Sequence, residues 1–254
     1  MTRGAGYDLE AGLRRLHLPT VRRLHSTLQE QAEKEDWTYR EFLEQLVSEE
    51  IAHRDETRIT RAVRAARFPY VKTIEDFNFG FQQSVKRAAL GRFLGPELVT
   101  EGRCLILCGR PGRGKTHLAI AIAHKAIQNG FDARFETAAT LLTSLNKASR
   151  DGSIESAIKI VVEPKVLVID ELGYLAYGQD AANSLFQIVN QRCLKRKPII
   201  ITTNKQPKEW GKVLHDTDLG EAIVDRLMER GEVITLLGRS YRDPKDDGTT
   251  TEAK

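Results

Sequence analysis

Hydrophobic positions near the start of the chain recur with the spacing of α-helices. From Asp8 to Ala66 the sequence is poor in glycine and proline and is predicted to be helical throughout. Thr38 precedes Glu41 by three residues, which is the pattern of a capping box at a helix start. Pro69 disfavours helix in the residue before it and ends this stretch. The pattern therefore predicts a small all-helical N-terminal domain over residues 1–70.

From about Arg103 the pattern changes to short apolar runs that alternate with helical stretches. Strands separated by helices predict a parallel sheet with helices on both of its faces, that is, an α/β fold over residues 71–242. Residues 243–254 form a polar tail. The predicted strands are 104–108, 131–136, 166–169, 199–203 and 233–237, and the predicted helices are 115–128, 138–160 with a break near Asp151, 181–194 and 210–229.

Composition adds limits to this picture. The 254 residues are 41% hydrophobic and 29% charged, which suits one or two globular domains and excludes a disordered chain or a small disulfide scaffold. No apolar run approaches the length of a membrane span, and the N-terminus has no apolar leader segment. The three cysteines suit reduced thiols and show no metal-ligand spacing. We therefore expect a cytoplasmic protein without a membrane partner.

Basic residues are unevenly distributed although the net charge is only +4. Two stretches, 57–74 and 181–208, contain no acidic residue, and such patches suit a polyanion such as nucleic acid. A solvated helix face is the alternative interpretation. The first stretch carries a slowly drifting helical stripe, predicted to bind DNA, of Arg58, Arg61, Arg64 and Arg67; the second carries Arg192, Lys195, Arg196, Lys197, Lys205 and Lys208.

The segment Gly109–Thr116 reads Gly-Arg-Pro-Gly-Arg-Gly-Lys-Thr, the pattern of a phosphate-binding loop. An apolar strand precedes it and a helix follows, so backbone N–H groups and the helix N-terminus converge on a phosphate. Lys115 is expected to reach the β- and γ-phosphates, and Thr116 to bind Mg²⁺. The predicted cofactors are ATP and Mg²⁺.

A second element, Val-Leu-Val-Ile-Asp-Glu, places two carboxylates at the end of a predicted buried strand. In open α/β sheets ligands bind at that edge. Asp170 is the expected Mg²⁺ ligand, and Glu171 is the expected group that activates a water against the γ-phosphate. An apolar run followed by Asp-Glu can also mark only a helix cap.

Two more residues are candidates for catalysis. Asn204 follows the apolar strand 199–203 and is expected to hydrogen-bond the attacking water or the γ-phosphate, although asparagine is also common in turns that end strands. Arg226 lies in an Asp-Arg-Leu sequence late on a helix and is the candidate arginine that a neighbouring subunit inserts into the site. The alternative is a surface arginine paired with Asp225 or Glu229.

Together these elements resemble the AAA+ ATPases over roughly residues 77–242. The segments Gly109–Ala119, Asp170–Leu175, Thr202–Asn204, Asp225–Leu227 and Gly238–Arg242 look like the DnaC/IstB branch, and the Asp-Glu-Leu-Gly-Tyr-Leu and Ser-Tyr-Arg sequences are particularly similar to IstB.

The resemblance implies a sheet in the order 5-1-4-3-2 and a homo-oligomer that forms with ATP on double-stranded DNA and engages a partner transposase. It also implies that Lys147 and Arg150 contact DNA and that Phe77, in the linker before the core, covers the base, with plain core packing as the alternative for Phe77. Aromatic residues make up only 7%, which favours backbone contact with duplex over stacking on single strands. The residues predicted to bind the nucleotide are Gly109, Pro111, Gly112, Arg113, Gly114, Lys115, Thr116, His117, Asp170 and Phe77.

The sequence departs from most AAA+ proteins after the last predicted strand, where too few residues remain for a helical lid. Arg242 is the candidate to replace a lid arginine. The nearest alternative function is a helicase loader of the DnaC type, which shares the ATPase core but prefers single-stranded DNA and carries a helicase-binding N-terminal surface. A small-molecule kinase is a further alternative, but it needs an acceptor pocket and a mobile arginine-rich lid, and neither insertion is evident.

Overall fold

The structure, a computed structural model, describes residues 8–173 and 181–243. Tyr174 and Leu175 of the Asp-Glu-Leu-Gly-Tyr-Leu sequence, and residues 244–254 of the predicted tail, lie outside the described residues. The helices and strands up to residue 150 are α1 Leu9–Arg15, α2 Pro19–Lys34, α3 Tyr39–Ala66, α4 Gly91–Leu94, α5 Glu97–Thr100, β1 Cys104–Cys108, α6 Lys115–Gln128, β2 Ala133–Thr137 and α7 Ala138–Arg150. They are followed by α8 Ile154–Val162, β3 Val166–Leu172, α9 Ala181–Leu194, β4 Ile199–Thr203, α10 Trp210–Leu214, α11 Thr217–Met228 and β5 Gly231–Thr235.

The N-terminal segment is helical, as expected, but it consists of three helices and not one continuous stretch. The predicted capping box is confirmed at the start of α3, where the Thr38 N–H donates to Glu41 (2.7 Å) and the Glu41 N–H donates to the Thr38 hydroxyl (3.2 Å). A second carboxylate, on the buried Glu50, accepts from the Thr20 N–H (2.9 Å) and so caps the first turn of α2.

The contacts divide the chain into two compact units between Arg61 and Ala62, inside α3. This division lies before the boundary predicted at residue 70, which stays a prediction. α3 ends at Ala66, and Arg67 has a left-handed backbone with φ of 60°. Arg67 therefore does not continue the helical stripe, and its side chain lies 3.9 Å from the Glu136 carboxylate.

The C-terminal unit contains a five-stranded sheet in the order β2-β3-β4-β1-β5, and every neighbouring pair is parallel. This is the expected order 5-1-4-3-2 viewed from the other edge. The observed boundaries differ from the predicted ones for three strands, since β2 is Ala133–Thr137, β3 extends through Leu172, and β5 is Gly231–Thr235. The predicted break between two helices near Asp151 is confirmed by the end of α7 and the start of α8.

The central strands β1 and β4 are buried along their whole length, because helices cover both faces of the sheet. The carboxyl ends of β3, β4 and β1 lie side by side in the sheet. The phosphate loop follows β1, Asn204 follows β4, and Asp170 and Glu171 lie near the carboxyl end of β3, before Leu172. No described helix is long and apolar enough to cross a membrane.

One expectation about charge is wrong. Arg192 is not part of an exposed basic patch, since it is 0% exposed. Its guanidinium donates to the carbonyls of Val161 (3.0 Å), Pro164 (2.9 Å) and Pro198 (2.8 Å), which ties the end of α8 to the start of β4. Burial lowers the pKa of Arg192 to about 10. A buried cation whose two terminal nitrogens donate to backbone carbonyls has a structural role, because a polyanion cannot reach it.

Candidate nucleotide-binding site

The loop between β1 and α6 takes a conformation that requires glycine. Gly112 and Gly114 have φ of 77° and 87°, a region that side chains rarely adopt. A Cβ at Gly112 would lie 2.1 Å from the Ser240 hydroxyl, and one at Gly114 would lie 2.7 Å from the Phe77 ring. Both the backbone conformation and the close packing therefore require glycine at these two positions. The loop ends at Lys115, the first residue of α6.

Lys115 lies in the floor of the cleft formed around this loop. Its ammonium donates to the Arg110 carbonyl (2.8 Å), and only 6% of the residue is exposed. Burial is the main cause that lowers its pKa to about 8, with the positive charges of Arg113 and Arg242 acting in the same direction. Burial thus disfavours the charged form of Lys115, and an anion beside the ammonium would favour that form.

Thr116 and Asp170, predicted as Mg²⁺ ligands from distant parts of the sequence, lie together. The Thr116 hydroxyl donates to the Asp170 carboxylate (2.9 Å). A second hydroxyl, on the fully buried Thr202, donates to the same carboxylate (2.5 Å). Asp170 is itself buried. Because both donors orient it, its carboxylate is held next to the start of α6, where the phosphates of a nucleotide bind.

Glu171 is brought into the cleft by a β-bulge. Between Ile169 and Leu172, β3 has one residue more than the facing part of β4, and Glu171 takes a left-handed backbone with φ of 62°. Its N–H donates to the Thr202 hydroxyl (2.9 Å), which holds the bulge in place. Bulges of this kind redirect a side chain, and strained residues often occur at functional sites. Glu171 is exposed and lines the cleft.

The linker before the core forms another wall of the cleft. Phe77 is buried, and its ring packs edge-on against His117 with centroids 5.2 Å apart. The His117 Nε2 lies 3.0 Å from the Thr73 carbonyl, and burial lowers the pKa of this imidazole. The loop and linker residues predicted to bind nucleotide thus gather around one cleft of about 260 Å³, lined among others by Tyr70, Phe77, Gly112, Arg113, Gly114, Lys115, Thr116, His117, Glu171, Thr202, Tyr241 and Arg242.

Several predicted residues lie outside the lining of this cleft. Gly109 begins the loop against the Leu236 carbonyl, and Pro111 is exposed. Asn204 follows β4 beside Gly173, and its buried amide oxygen has no hydrogen-bond partner in the part of the chain that is described. Arg226 is exposed on α11, with its guanidinium 3.8 Å from Glu229.

The side chain of Arg113 was also expected at the nucleotide. It is 1% exposed and directed towards the Leu236 carbonyl (3.4 Å), and two of its guanidinium nitrogens have no hydrogen-bond partner within residues 8–173 and 181–243. The sequence analysis missed Tyr70, Thr202 and Tyr241 as parts of the site. Only Thr202 had a signal in the sequence, namely a hydroxyl at the end of a buried strand.

The predicted DNA-binding residues differ in their exposure. Lys147 and Arg150 are exposed in the last turns of α7. Arg61 and Arg64 are exposed in α3, whereas Arg58 is half-buried and lies 3.4 Å from Asp55. The assignment of these residues to DNA binding stays a prediction.

A phosphate loop, a buried Asp170 beside Thr116, and the 2-3-4-1-5 sheet are the arrangement expected of an AAA+ nucleotide site. The model of the family described as "IstB-like ATP binding protein" matches residues 11–247. The chain belongs to this family. It is thus an ATP-binding protein of the P-loop ATPase class.

Two relatives agree with this assignment. The chain is 37% identical over 228 residues, 90% of either chain, to a protein of Geobacillus stearothermophilus named as an ATP-binding protein of insertion sequence IS5376. It is 35% identical over 236 residues to the corresponding protein of IS21 from Pseudomonas aeruginosa, covering 93% of this chain and 89% of the relative.

Among solved structures, the IstB-like chain is similar to the DnaC helicase loader. The TM-score is 0.51 at 27% identity, and the match covers 66% of this chain and 93% of the DnaC chain. The AAA+ fold expected from the sequence is thereby confirmed.

Proposed function

We propose that this IstB-like protein is an ATP-dependent helper of insertion-sequence transposition. In this proposal it binds double-stranded DNA, assembles there into a homo-oligomer in the ATP state, and recruits and activates a partner transposase. Hydrolysis then disassembles the oligomer. The observation that carries the proposal is a cleft lined by Lys115, Thr116 and Glu171, with Asp170 hydrogen-bonded to Thr116, in a chain whose relatives are named for insertion sequences.

The phosphates of ATP fit this cleft because its electrostatics favour an anion. Lys115 has a pKa well below its ordinary value, and Arg113 and Arg242 add positive charge near it. The N–H groups of the loop and the start of α6 converge on the same place. Lys115 binds the β- and γ-phosphates, and the buried setting strengthens this attraction relative to water.

Mg²⁺ fits beside the phosphates. The Thr116 hydroxyl and the Asp170 carboxylate lie 2.9 Å apart, and both are oxygen ligands of the kind that Mg²⁺ prefers. Thr116 and Asp170 are the residues that would hold the ion, and phosphate oxygens and waters would supply further oxygen ligands. Mg²⁺ neutralises charge that develops on the phosphates.

Hydrolysis requires a base and a positioned water. Glu171 follows Asp170 in the sequence and lines the cleft. Its left-handed backbone interrupts the regular alternation of side chains between the two faces of the sheet, so its side chain does not follow that alternation. Glu171 accepts a proton from the attacking water. Asn204 orients that water, and its unpartnered amide oxygen is available to accept a hydrogen bond. Removal of the base or of the residue that orients the water is expected to lower the rate of ATP hydrolysis steeply.

Arg226 acts in a neighbouring subunit in this proposal. It does not line the cleft of its own chain and is exposed, with its guanidinium 3.8 Å from the Glu229 carboxylate. An arginine inserted next to the γ-phosphate stabilises the charge that develops during phosphoryl transfer. The γ-phosphate then stabilises the contact between subunits, so the ATP state favours the oligomer and hydrolysis weakens it.

DNA binding rests on exposed basic residues in this proposal. Arg61 and Arg64 on α3, together with Lys147 and Arg150 on α7, are exposed side chains that can neutralise phosphates. Each neutralised duplex phosphate steepens the log–log salt dependence of binding by about 0.9. The sequence contains no base-reading motif, so the preference for any DNA sequence is expected to be weak.

A titration of long duplex and single-stranded DNA tests the proposal, at two salt concentrations and with ATP, ADP or no nucleotide. Cooperative binding to duplex that needs ATP supports the transposition helper. A preference for single strands favours the second candidate, a helicase loader, which the similarity to DnaC makes the specific alternative. Absence of DNA binding in every nucleotide state contradicts both.

The transposase part of the proposal needs its own experiment. In this proposal a partner transposase is retained by the DNA-bound protein in ATP and released after hydrolysis. Co-sedimentation with long duplex DNA, using ATP and a non-hydrolysable analogue, measures this. Retention that is equal in ADP and ATP contradicts an ATP-gated recruitment.

A further inference from the structure

Two of the three cysteines lie side by side although they are far apart in the sequence. Cys104 is the first residue of β1, and Cys193 is the second-last residue of α9. Their thiols are hydrogen-bonded to each other, and Cys193 packs against the core cluster that contains Cys104. The pair therefore meets the main geometric condition for a disulfide, which is the close approach of the two side chains.

The two thiols differ in access and in acidity. Cys104 is 3% exposed, whereas Cys193 is half-buried. The hydrogen bond from Cys104 lowers the pKa of Cys193 against the effect of burial, and the charges of Arg226 and Arg192 act in the same direction as the hydrogen bond. The same hydrogen bond, together with burial, raises the pKa of Cys104 well above its ordinary value. Cys193 is therefore the thiol that a dissolved oxidant reaches as a thiolate, and Cys104 is the thiol held next to it.

The third cysteine has no such neighbour. Cys108 ends β1 and is buried, and its Sγ lies 3.4 Å from the Lys205 carbonyl. Burial raises the pKa of this thiol. Within residues 8–173 and 181–243, no other cysteine is hydrogen-bonded to it. Cys108 thus provides an internal reference, because it lies on the same strand as Cys104 and is buried like it but lacks a paired sulfur.

Cys193 also contacts the helix that carries Arg226. Its S–H donates to the Arg226 carbonyl (3.5 Å). This carbonyl lies in the last turn of α11, where carbonyls have no partner within the helix. The thiol therefore supplies a partner to the end of α11. A sulfur that is bonded to a second sulfur carries no hydrogen to donate, so oxidation of Cys193 removes this contact.

We propose that Cys104 and Cys193 form an oxidation site at which a peroxide converts the two thiols into a reversible disulfide, and that this disulfide slows ATP turnover through Arg226. The formation of the disulfide follows from the arrangement of the thiols alone. Its effect on turnover rests on the proposed function, in which Arg226 acts on the nucleotide of a neighbouring subunit.

The reaction balances with hydrogen peroxide as the oxidant. The Cys193 thiolate attacks one peroxide oxygen, the O–O bond breaks, and the departing hydroxide takes up a proton and becomes water. The Cys104 sulfur then attacks the Cys193 sulfenic acid, and its proton leaves with the sulfenic hydroxyl as a second water. Two thiols lose two electrons in total, and one peroxide becomes two waters. A dithiol reductant restores both thiols by exchange.

Counting of thiols in the folded protein tests the disulfide. Reduced protein without nucleotide is freed of reductant, treated with hydrogen peroxide, unfolded and alkylated, and its peptides are analysed by mass spectrometry. We expect the number of alkylated cysteines to fall from three to one, with a link between Cys104 and Cys193 and with Cys108 alkylated. Dithiothreitol should restore all three. This peptide map needs no variant, so its result does not depend on whether a substituted protein folds.

Single substitutions provide the controls for the thiol count. Cys108→Ala should still lose two thiols, whereas Cys193→Ser should keep both of its thiols at the same peroxide concentration. Cys104→Ser should accumulate a sulfenic acid at Cys193, which dimedone traps. A link between two chains in place of the internal one, a sulfinic acid at Cys193 beside an alkylated Cys104, or oxidation of Cys108 at the same rate overturns the proposal.

Turnover and nucleotide affinity are then compared between the reduced and the oxidised protein. We expect oxidation to lower ATP turnover about two- to tenfold, the range of one neutral hydrogen bond, with the dissociation constant for ATP changed less than about twofold. Cys193→Ala should show the same fall without peroxide and no further fall with it. Cys193→Ser keeps a donor for the Arg226 carbonyl and should turn over ATP like the reduced protein.

The two parts of the proposal fail in different ways. A disulfide that forms and leaves turnover unchanged overturns the link to Arg226, and an equal loss of ATP affinity also overturns it, because that result indicates a general disturbance of the fold. If the reduced protein does not hydrolyse ATP at all, the proposed function is wrong. The thiol counts decide the oxidation site in either case.

Discussion

The Thr202 hydroxyl on β4 lies 2.5 Å from the Asp170 carboxylate on β3 and donates a hydrogen bond to it. The same hydroxyl accepts the N–H of Glu171 (2.9 Å), the residue at the β-bulge. One side chain thus orients the expected Mg²⁺ ligand and holds the backbone of the expected catalytic base. The two carboxylates depend on a neighbouring strand for their geometry.

Thr202→Val should therefore impair both hydrolysis and stability. The change leaves the Glu171 N–H without its acceptor and removes one donor from Asp170, at a cost of about 1–3 kcal/mol in the free energy of unfolding. Thr203→Val is the matched control, because Thr203 is equally buried but its hydroxyl is hydrogen-bonded to the backbone of Lys205 and not to either carboxylate residue. Urea unfolding and ATP turnover check this. Equal loss of turnover in both variants would argue against a specific role for Thr202.

Lys115→Met should abolish ATP binding and yet stabilise the nucleotide-free protein. The ammonium is buried with a pKa of about 8, so the folded state disfavours its charge relative to the unfolded chain, where the pKa is near 10.5. Methionine keeps the side-chain length without that charge. We expect the melting temperature without nucleotide to rise by about 2 °C or more. ATP is expected to raise the melting temperature of the unaltered protein but not that of Lys115→Met. Lys125→Met, later on α6, serves as control; an ATP-induced shift retained by Lys115→Met refutes the assignment.

The affinity for ATP should fall as pH rises above about 8. Bound phosphate favours the charged form of Lys115 and raises its pKa, so binding above the free-protein value near 8 requires uptake of a proton. The dissociation constant should then increase by up to about tenfold per pH unit between pH 8 and the raised pKa. Calorimetry from pH 7 to 9.5 measures this. Lys115→Arg keeps its charge over that range, and a pH dependence that persists in this variant must come from another group.

Glu171→Gln should bind ATP normally but hydrolyse it about 10²- to 10⁴-fold more slowly, because the amide cannot accept the proton of water. The oligomer and its complex with DNA should persist in ATP. Phosphate release and size-exclusion chromatography are the measurements, with the exposed Glu155→Gln on α8 as control. Rapid turnover by Glu171→Gln would assign the base to another residue.

Arg226→Ala should bind ATP yet fail to hydrolyse it, since the arginine acts on the nucleotide of a neighbouring subunit. Mixing Arg226→Ala with Lys115→Met should restore part of the turnover, because mixed contacts combine an intact cleft with an intact arginine. Arg230→Ala is the control, because Arg230 is an exposed arginine two residues after the end of α11. The action across subunits loses its support if the mixture stays inactive although both variants assemble.

Sequence reasoning predicted much of the fold because local patterns encode it. The runs 104–108 and 199–203 match β1 and β4, and the predicted helix 115–128 matches α6. Asp170 and Thr116 were paired correctly, since a strand end and a phosphate loop meet at the same sheet edge. Arg192 was misjudged because burial depends on what packs around a residue and not on its neighbours in sequence.

The sequence by itself predicted the glycine-rich phosphate loop and the apolar strands. The resemblance carried by its motifs also gave the order of the strands in the sheet and the family to which the chain belongs. These features follow from residue type and spacing over short segments. The tertiary structure alone decided that a bulge turns Glu171 into the cleft, that Thr202 holds it there, and that the chain after β5 brings Arg242 to the cleft. Each of these depends on register or packing between residues far apart in the chain, which periodicity does not encode.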